Sequence, residues 1–244
     1  MIEKVEGIVL DERKYGETSK IIQVFTKEYG IIGVLAKGAS TMKSKLRGVT
    51  GKLTYGVFQL YYKENKLSTL VGVDIIDSLS SIRTDITKIS YATFLSELVS
   101  QVLKHEPAPE IYAIFIAALK KIDEGLDASV ITNIVELKCL EFLGVKPVVD
   151  ACSVCGSKTG IATVSSYKGG YVCQNCLGGE KIVDQKTIGL LRMFFYVDIS
   201  KIERLDIQPQ NKKELDQFID DYYDRYTGLY VKSKSFLQNL KKLI

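Results

Sequence analysis

The 244-residue sequence predicts an α+β protein: a small five-stranded β-barrel, then an α-helical domain with a cysteine module set into it. Three observations carry this. Residues 1–80 hold short runs rich in Val, Ile, Leu, Tyr and Phe, separated by turn residues. From residue 85 the apolar positions switch to a helical period. Residues 150–180 place four of the five cysteines in two close pairs. The expected boundaries are 1–80 for the barrel, 81–150 and 181–244 for two parts of the helical domain, and 151–180 for the module.

The five expected strands are VEGIVL, KIIQVFT, IIGVLAK, LTYGVFQLYY and KLSTLVGVDII, with Tyr29-Gly30 and Glu64-Asn65 in turns between them. In the first helix Ala92, Leu95, Leu98, Val99, Val102 and Leu103 share a face. Ile111, Ile114, Phe115, Ala118, Leu119 and Ile122 repeat the pattern after a break at Pro107 and Pro109. A third helix over roughly 129–143 carries Ile131, Ile134, Val135 and Leu140 and ends at Gly144 and Pro147. Beyond the module, Asp184 caps a helix over QKTIGLLRMFF. The spacing of Asn211 and Glu214 predicts a capping box for the next, whose stripe is Leu215, Phe218, Ile219, Tyr222 and Tyr226. A short amphipathic tail follows.

The formal net charge is +4. Residues 37–52 supply five cations (Lys37, Lys43, Lys45, Arg47 and Lys52) and no acid, so the rest of the chain sums to −1. The basicity is local, as a docking surface requires. It falls on AKGASTMKSKLRG, residues 36–48, which has neither helical nor strand period and joins the third and fourth strands. Composition alone fits a solvated linker as well as an anion-binding loop. A positive barrel face suits single-stranded nucleic acid when aromatic rings accompany the cations. Tyr15, Tyr29, Tyr55, Tyr61 and Tyr62 are the candidate rings, with ordinary strand packing as the competing reading of each.

Cys152, Cys155, Cys173 and Cys176 have the spacing C-x2-C-x17-C-x2-C. Two residues between thiols let one turn present both sulfurs to one ion, and the second pair completes a tetrahedron. Four thiolates form a closed zinc shell without a position for substrate, so the expected site is structural. Such a site contributes on the order of 10 kcal/mol to folding in isolated peptides. Cys139 lies on an apolar helix face and reads as a small buried hydrophobe.

No catalytic constellation is legible, and no enzyme activity is expected. His105, the one histidine, sits in KHEPAPE and reads as exposed loop. Phosphate-loop, dinucleotide-binding and zinc-deaminase patterns are missing. Asp220, Asp221 and Asp224 read as a solvated helix face before a metal cluster. The N-terminus lacks a secretory signal and no apolar run approaches the roughly 20 residues of a membrane helix, so the chain reads as cytosolic.

The stretch GIVLDERKYGETSKIIQVFTKEYGIIGVLAKGA resembles the N-terminal block of the RecO family of bacterial recombination mediators, through its YGE turn, FT-x-x-x-G and AKGA. FLGVKPVVDACSVCG and GGYVCQNC resemble the two halves of that family's zinc module. The resemblance runs the length of the chain. It implies an OB-fold barrel that binds DNA through basic loop residues, and zinc on the four cysteines. It implies a DNA repair and recombination mediator that binds single- and double-stranded DNA and anneals complementary strands. With RecR and single-stranded DNA-binding protein as partners, it would help load RecA, in the bacterial cytoplasm at the nucleoid. The alternative reading is a zinc-stabilised protein–protein adaptor without direct DNA binding.

Overall fold

The structure, a computed structural model, describes residues 1–103 and 107–240; His105 lies outside the described residues. The chain forms two compact units, Met1–Glu124 together with Val231 onward, and Gly125–Tyr230.

The first unit opens with five strands: β1 (Glu3–Tyr15), β2 (Ser19–Thr26), β3 (Gly30–Ala36), β4 (Tyr55–Tyr61) and β5 (Ser68–Asp77). They close in the order β1-β2-β3-β5-β4, with β4 returning to β1, and only the β3–β5 pair is parallel. This is the expected OB-fold barrel. Alternation sends Val5, Val9, Ile22, Val24, Val34, Phe58, Leu60 and Leu70 into its core. Gly7 and Gly56 pair across β1 and β4, where a Cβ would stand 2.9 Å from the Phe25 carbonyl oxygen and 2.5 Å from that of Asp74. Only glycine admits this approach.

The pairing of β1 with β4 reaches no further than Ile8 and Tyr55. Its pairing with β2 continues past a bulge at Val9/Asp11 out to Tyr15 and Ser19. Beyond the bulge, β1 and β2 therefore run on as a ribbon without β4.

Three helices follow: α1 (Ser80–Thr84), α2 (Ile86–Val102) and α3 (Pro109–Asp123). Asp85 caps α2, accepting from the N–H groups of Thr87 and Lys88 at 2.8 and 3.0 Å. The anticipated faces are buried, Ala92, Leu95, Leu98 and Val99 on α2 and Ile111, Phe115, Leu119 and Ile122 on α3. From the barrel, Phe25 meets Tyr112 edge-on, with ring centres 5.1 Å apart. The Glu6 carboxylate accepts from the hydroxyls of Tyr55 (2.7 Å) and Tyr112 (3.1 Å), tying β1, β4 and α3 together.

The second unit contains α4 (Ala128–Phe142), the hairpin β6 (Ile161–Ser165) and β7 (Gly170–Cys173), α5 (Gln185–Tyr196) and α6 (Pro209–Tyr226). Ile131, Ile134, Val135, Cys139 and Leu140 of α4 are buried, as the period implied. Gly144, at φ +73°, ends α4, and the Val145 N–H reaches back to the Leu140 carbonyl. Asp184 caps α5 through the Lys186 N–H at 2.7 Å.

The start of α6 differs from expectation. Pro209 occupies the first turn, since it has no N–H to leave unpaired and its φ suits a helix. Asn211 is thus inside the helix and buried, its amide donating to the Thr187 hydroxyl at 3.0 Å. Glu214, in place of closing a box with Asn211, accepts from the Thr187 hydroxyl and from the Asp184 N–H. Of the expected stripe, Leu215, Phe218, Ile219 and Tyr222 are buried and Tyr226 is exposed.

The tail forms α7 (Lys232–Leu240) and belongs to the first unit. Glu97 of α2 accepts from the N–H groups of Lys232 (2.7 Å) and Ser233 (2.9 Å) and from the Ser233 hydroxyl (2.7 Å). No helix among the described residues is long and apolar enough to cross a membrane.

Candidate metal centre and basic loop

The four cysteines converge. The first pair lies on the turn before β6 and the second at the end of β7 and in the 3-10 turn after it (Gln174–Cys176). Most of the 17 intervening residues belong to the β6–β7 hairpin, which returns the chain to its start. At the first turn the Gly156 N–H donates to the Cys152 carbonyl at 2.9 Å, with Gly156 at φ +75°. The Ser153 N–H and hydroxyl both donate to the Tyr171 carbonyl, at 2.8 and 2.9 Å, fixing that turn to β7.

All four sulfurs lie within 4.8 Å of one another, and those of Cys155 and Cys173 are 3.6 Å apart. Tetrahedral bonds of about 2.3 Å require sulfur–sulfur separations near 3.8 Å, so the cluster fits a thiolate-bound ion. The Cys173 N–H donates to the Cys152 sulfur at 3.4 Å. Burial pushes the Cys152 thiol up, but N–H donors from Cys173, Cys155 and Val154 outweigh it and bring it down to about 6. Hydrogen bonds to the Cys155 and Cys173 sulfurs push Cys176 up to about 12. Four sulfurs this close together form a donor set suited to a cation. Among the described residues this is the only group of His, Cys, Asp or Glu arranged to hold a metal, and Asp220, Asp221 and Asp224 do not form one.

The basic segment leaves β3 and returns at β4, and all five of its predicted cations are exposed. Its ends are anchored. The Gly38 N–H donates to the Ser19 hydroxyl (3.2 Å) and the Ser40 N–H to the Thr18 carbonyl (2.7 Å). At the far end the Leu53 N–H donates to the Val9 carbonyl (2.8 Å), and the Val9 N–H to the Thr54 carbonyl (3.0 Å). Leu53 holds φ +61°, a conformation unfavourable for its side chain, and is itself buried. Ala39 and Thr50 are buried too, and Arg47–Val49 form a 3-10 turn. The loop is therefore packed, with its cations on the outside.

The cations are not equivalent. Lys52 pairs with Asp11 at 2.7 Å. Among the described residues Lys37, Lys43, Lys45 and Arg47 have no carboxylate partner. Nor are the tyrosines alike. Tyr55 is buried against Glu6, which removes it as a stacking surface. Tyr29 stacks on Tyr62 with ring centres 4.2 Å apart, and its hydroxyl donates to Glu3. Tyr15 and Tyr61 are half exposed. Sequence reasoning passed over Arg13 and Lys14, exposed on the β1–β2 ribbon, because the adjacent Asp11 and Glu12 mask them in the run DERK.

A closed OB-fold barrel bearing a packed basic loop, in a chain that also carries four clustered cysteines, defines a protein of the OB-fold barrel class with a thiol cluster that could hold a metal ion. Comparison with known proteins narrows this. The family described as "Recombination protein O N terminal" matches residues 1–79, and "Recombination protein O C terminal" matches residues 83–235. The chain is 38% identical to the DNA repair protein RecO of Bacillus pumilus over 251 residues, spanning 100% of this chain and 98% of that one. It is 37% identical to the proteins of that name from Listeria monocytogenes (99% and 96% covered) and Bacillus subtilis (100% and 96%). The chain belongs to the RecO family of DNA repair proteins.

Proposed function

We propose that this protein is a recombination mediator that binds single- and double-stranded DNA and anneals complementary strands. It would act with RecR and single-stranded DNA-binding protein to help RecA load, at the nucleoid. The observation that carries the reading is the packed loop with four exposed cations, Lys37, Lys43, Lys45 and Arg47, that have no carboxylate partner among the described residues. Cations so placed neutralise phosphates and release counterions, which gives affinity without sequence preference. Annealing needs no catalytic group, because positive charge lowers the repulsion between two strands and holds them close. The four thiols would hold one zinc ion that braces the β6–β7 hairpin without touching substrate.

Fluorescence anisotropy of a single-stranded oligonucleotide across a salt series tests this. Four phosphate contacts give a log–log slope of about −2.8. Replacing Lys43, Lys45 and Arg47 together by Glu should flatten the slope and abolish annealing. An unaltered slope would remove the loop from the interface. Negligible binding at low salt would favour the adaptor instead.

A further inference from the structure

Resting on the DNA-binding reading, we infer that Tyr15 is a base-stacking residue that makes the basic loop a reader of unpaired strands. Phosphate contacts alone hold single strands and duplex alike. Discrimination needs a group that only an unstacked base can meet, and an aromatic ring is such a group.

Tyr15 stands at the end of the β1–β2 ribbon, beyond the reach of β4, and is 53% exposed. Directly opposite it is Ser19. Side chains opposite one another in an antiparallel pair project from the same face. The Ser19 hydroxyl accepts from the Gly38 N–H, and the neighbouring Thr18 carbonyl accepts from the Ser40 N–H. The ribbon tip is thus fastened to the first residues of the basic loop, on the face from which Tyr15 projects. Arg13, two residues earlier, shares that face. The charges around the ring also favour a polyanion. Glu12 is paired with Lys20 at 2.5 Å and Asp11 with Lys52, which leaves Arg13 and Lys14 against one exposed acid, Glu17.

The other rings lack this placement. Tyr29 and Tyr62 cover each other, Tyr55 is buried, and Tyr61 lies at the far end of β4, beyond the Leu60–Glu3 pair at the start of β1.

The chain contains no tryptophan, so Tyr15→Trp installs a single reporter. Its emission should be quenched by single-stranded oligothymidylate and left unchanged by a duplex of equal length. Tyr15→Ala should bind the single strand about tenfold more weakly with duplex affinity intact, and Tyr15→Phe should match the wild type. The salt slope should not change in any of these, since the ring carries no charge. An emission that stays constant while anisotropy shows saturation by the single strand overturns the inference and leaves the DNA-binding reading standing. So does an equal loss for single strand and duplex in Tyr15→Ala that retains the wild-type circular dichroism. A wild-type protein that binds neither form overturns both.

Discussion

The ammonium group of Lys52 lies 2.7 Å from the Asp11 carboxylate, joining the end of the basic loop to the bulge of β1. Both side chains are half exposed, so the pair adds at most about 1 kcal/mol to stability. If the loop binds DNA as proposed, the pair should matter more for binding than for folding. A cation already matched to a carboxylate has less to gain from a phosphate. Lys52→Gln is expected to weaken single-strand binding less than Lys43→Gln. Asp11→Asn, which frees Lys52, should steepen the salt slope by about 0.7, the contribution of one phosphate contact. Paired salt titrations of the three variants check both statements.

Metal removal should act on the second unit. A strong chelator, or Cys155→Ser, is expected to disorder the β6–β7 hairpin, with one equivalent of zinc per chain found beforehand by elemental analysis. Thiol counting adds a second readout. Cys139 is buried, and burial pushes its thiol up to about 12. A thiol reagent should therefore modify four cysteines after chelation and the fifth only on unfolding.

The Glu6 carboxylate serves two buried phenols at once. Burial first, and the neighbouring Glu6 second, hold both Tyr55 and Tyr112 well above the ordinary tyrosine value. Glu6→Ala strands both hydroxyls and should cost about 3 kcal/mol in urea unfolding. The raised phenols also fix a sign. Their contribution is complete below about pH 10 and is lost as pH rises further, because the unfolded chain ionises first. Wild-type protein should lose stability in that range, and Tyr112→Phe should lose less.

Burial raises Glu97, but the Ser233 hydroxyl and the N–H groups of Ser233 and Lys232 outweigh it, leaving the carboxyl below its ordinary value of 4.5. A lowered carboxyl contributes stability above its unfolded value and loses it as pH falls through the folded one. Protection factors in α7, taken relative to the intrinsic exchange rate at each pH, should therefore fall below about pH 4.5. Glu97→Gln should reproduce much of that loosening at pH 7, at a cost of about 1 kcal/mol.

What the sequence discloses is what depends on near neighbours. Alternation along VEGIVL or KIIQVFT and the two C-x2-C pairs are short-range patterns, and they translate directly into the barrel and the four-cysteine cluster. The inequivalence of the five cations is not of that kind, since a β1 bulge brings Asp11 to a lysine 41 positions later. The tyrosines show the same limit. A period of two says that neighbouring residues face opposite ways and puts Tyr55 on the face away from the barrel core, but only the contacts with Glu6 and with Tyr112 of α3, distant in sequence, bury it there. Asn211 misleads because a capping-box spacing says nothing of a proline two residues upstream that starts the helix first.

The division of the chain bears on how it is made. Residues 125–230 interrupt the first unit, whose last helix follows them. On the ribosome, the barrel, α2 and α3 emerge early, while the α2 surface centred on Glu97 waits for Ser233 until some 130 further residues have been added. The cysteine hairpin is made in that interval, before the first unit is complete. At roughly 5–20 residues per second, the nascent chain leaves the α7-facing side of α2 uncovered for about 7–26 seconds. That interval is a window for chaperone capture that closes when α7 arrives.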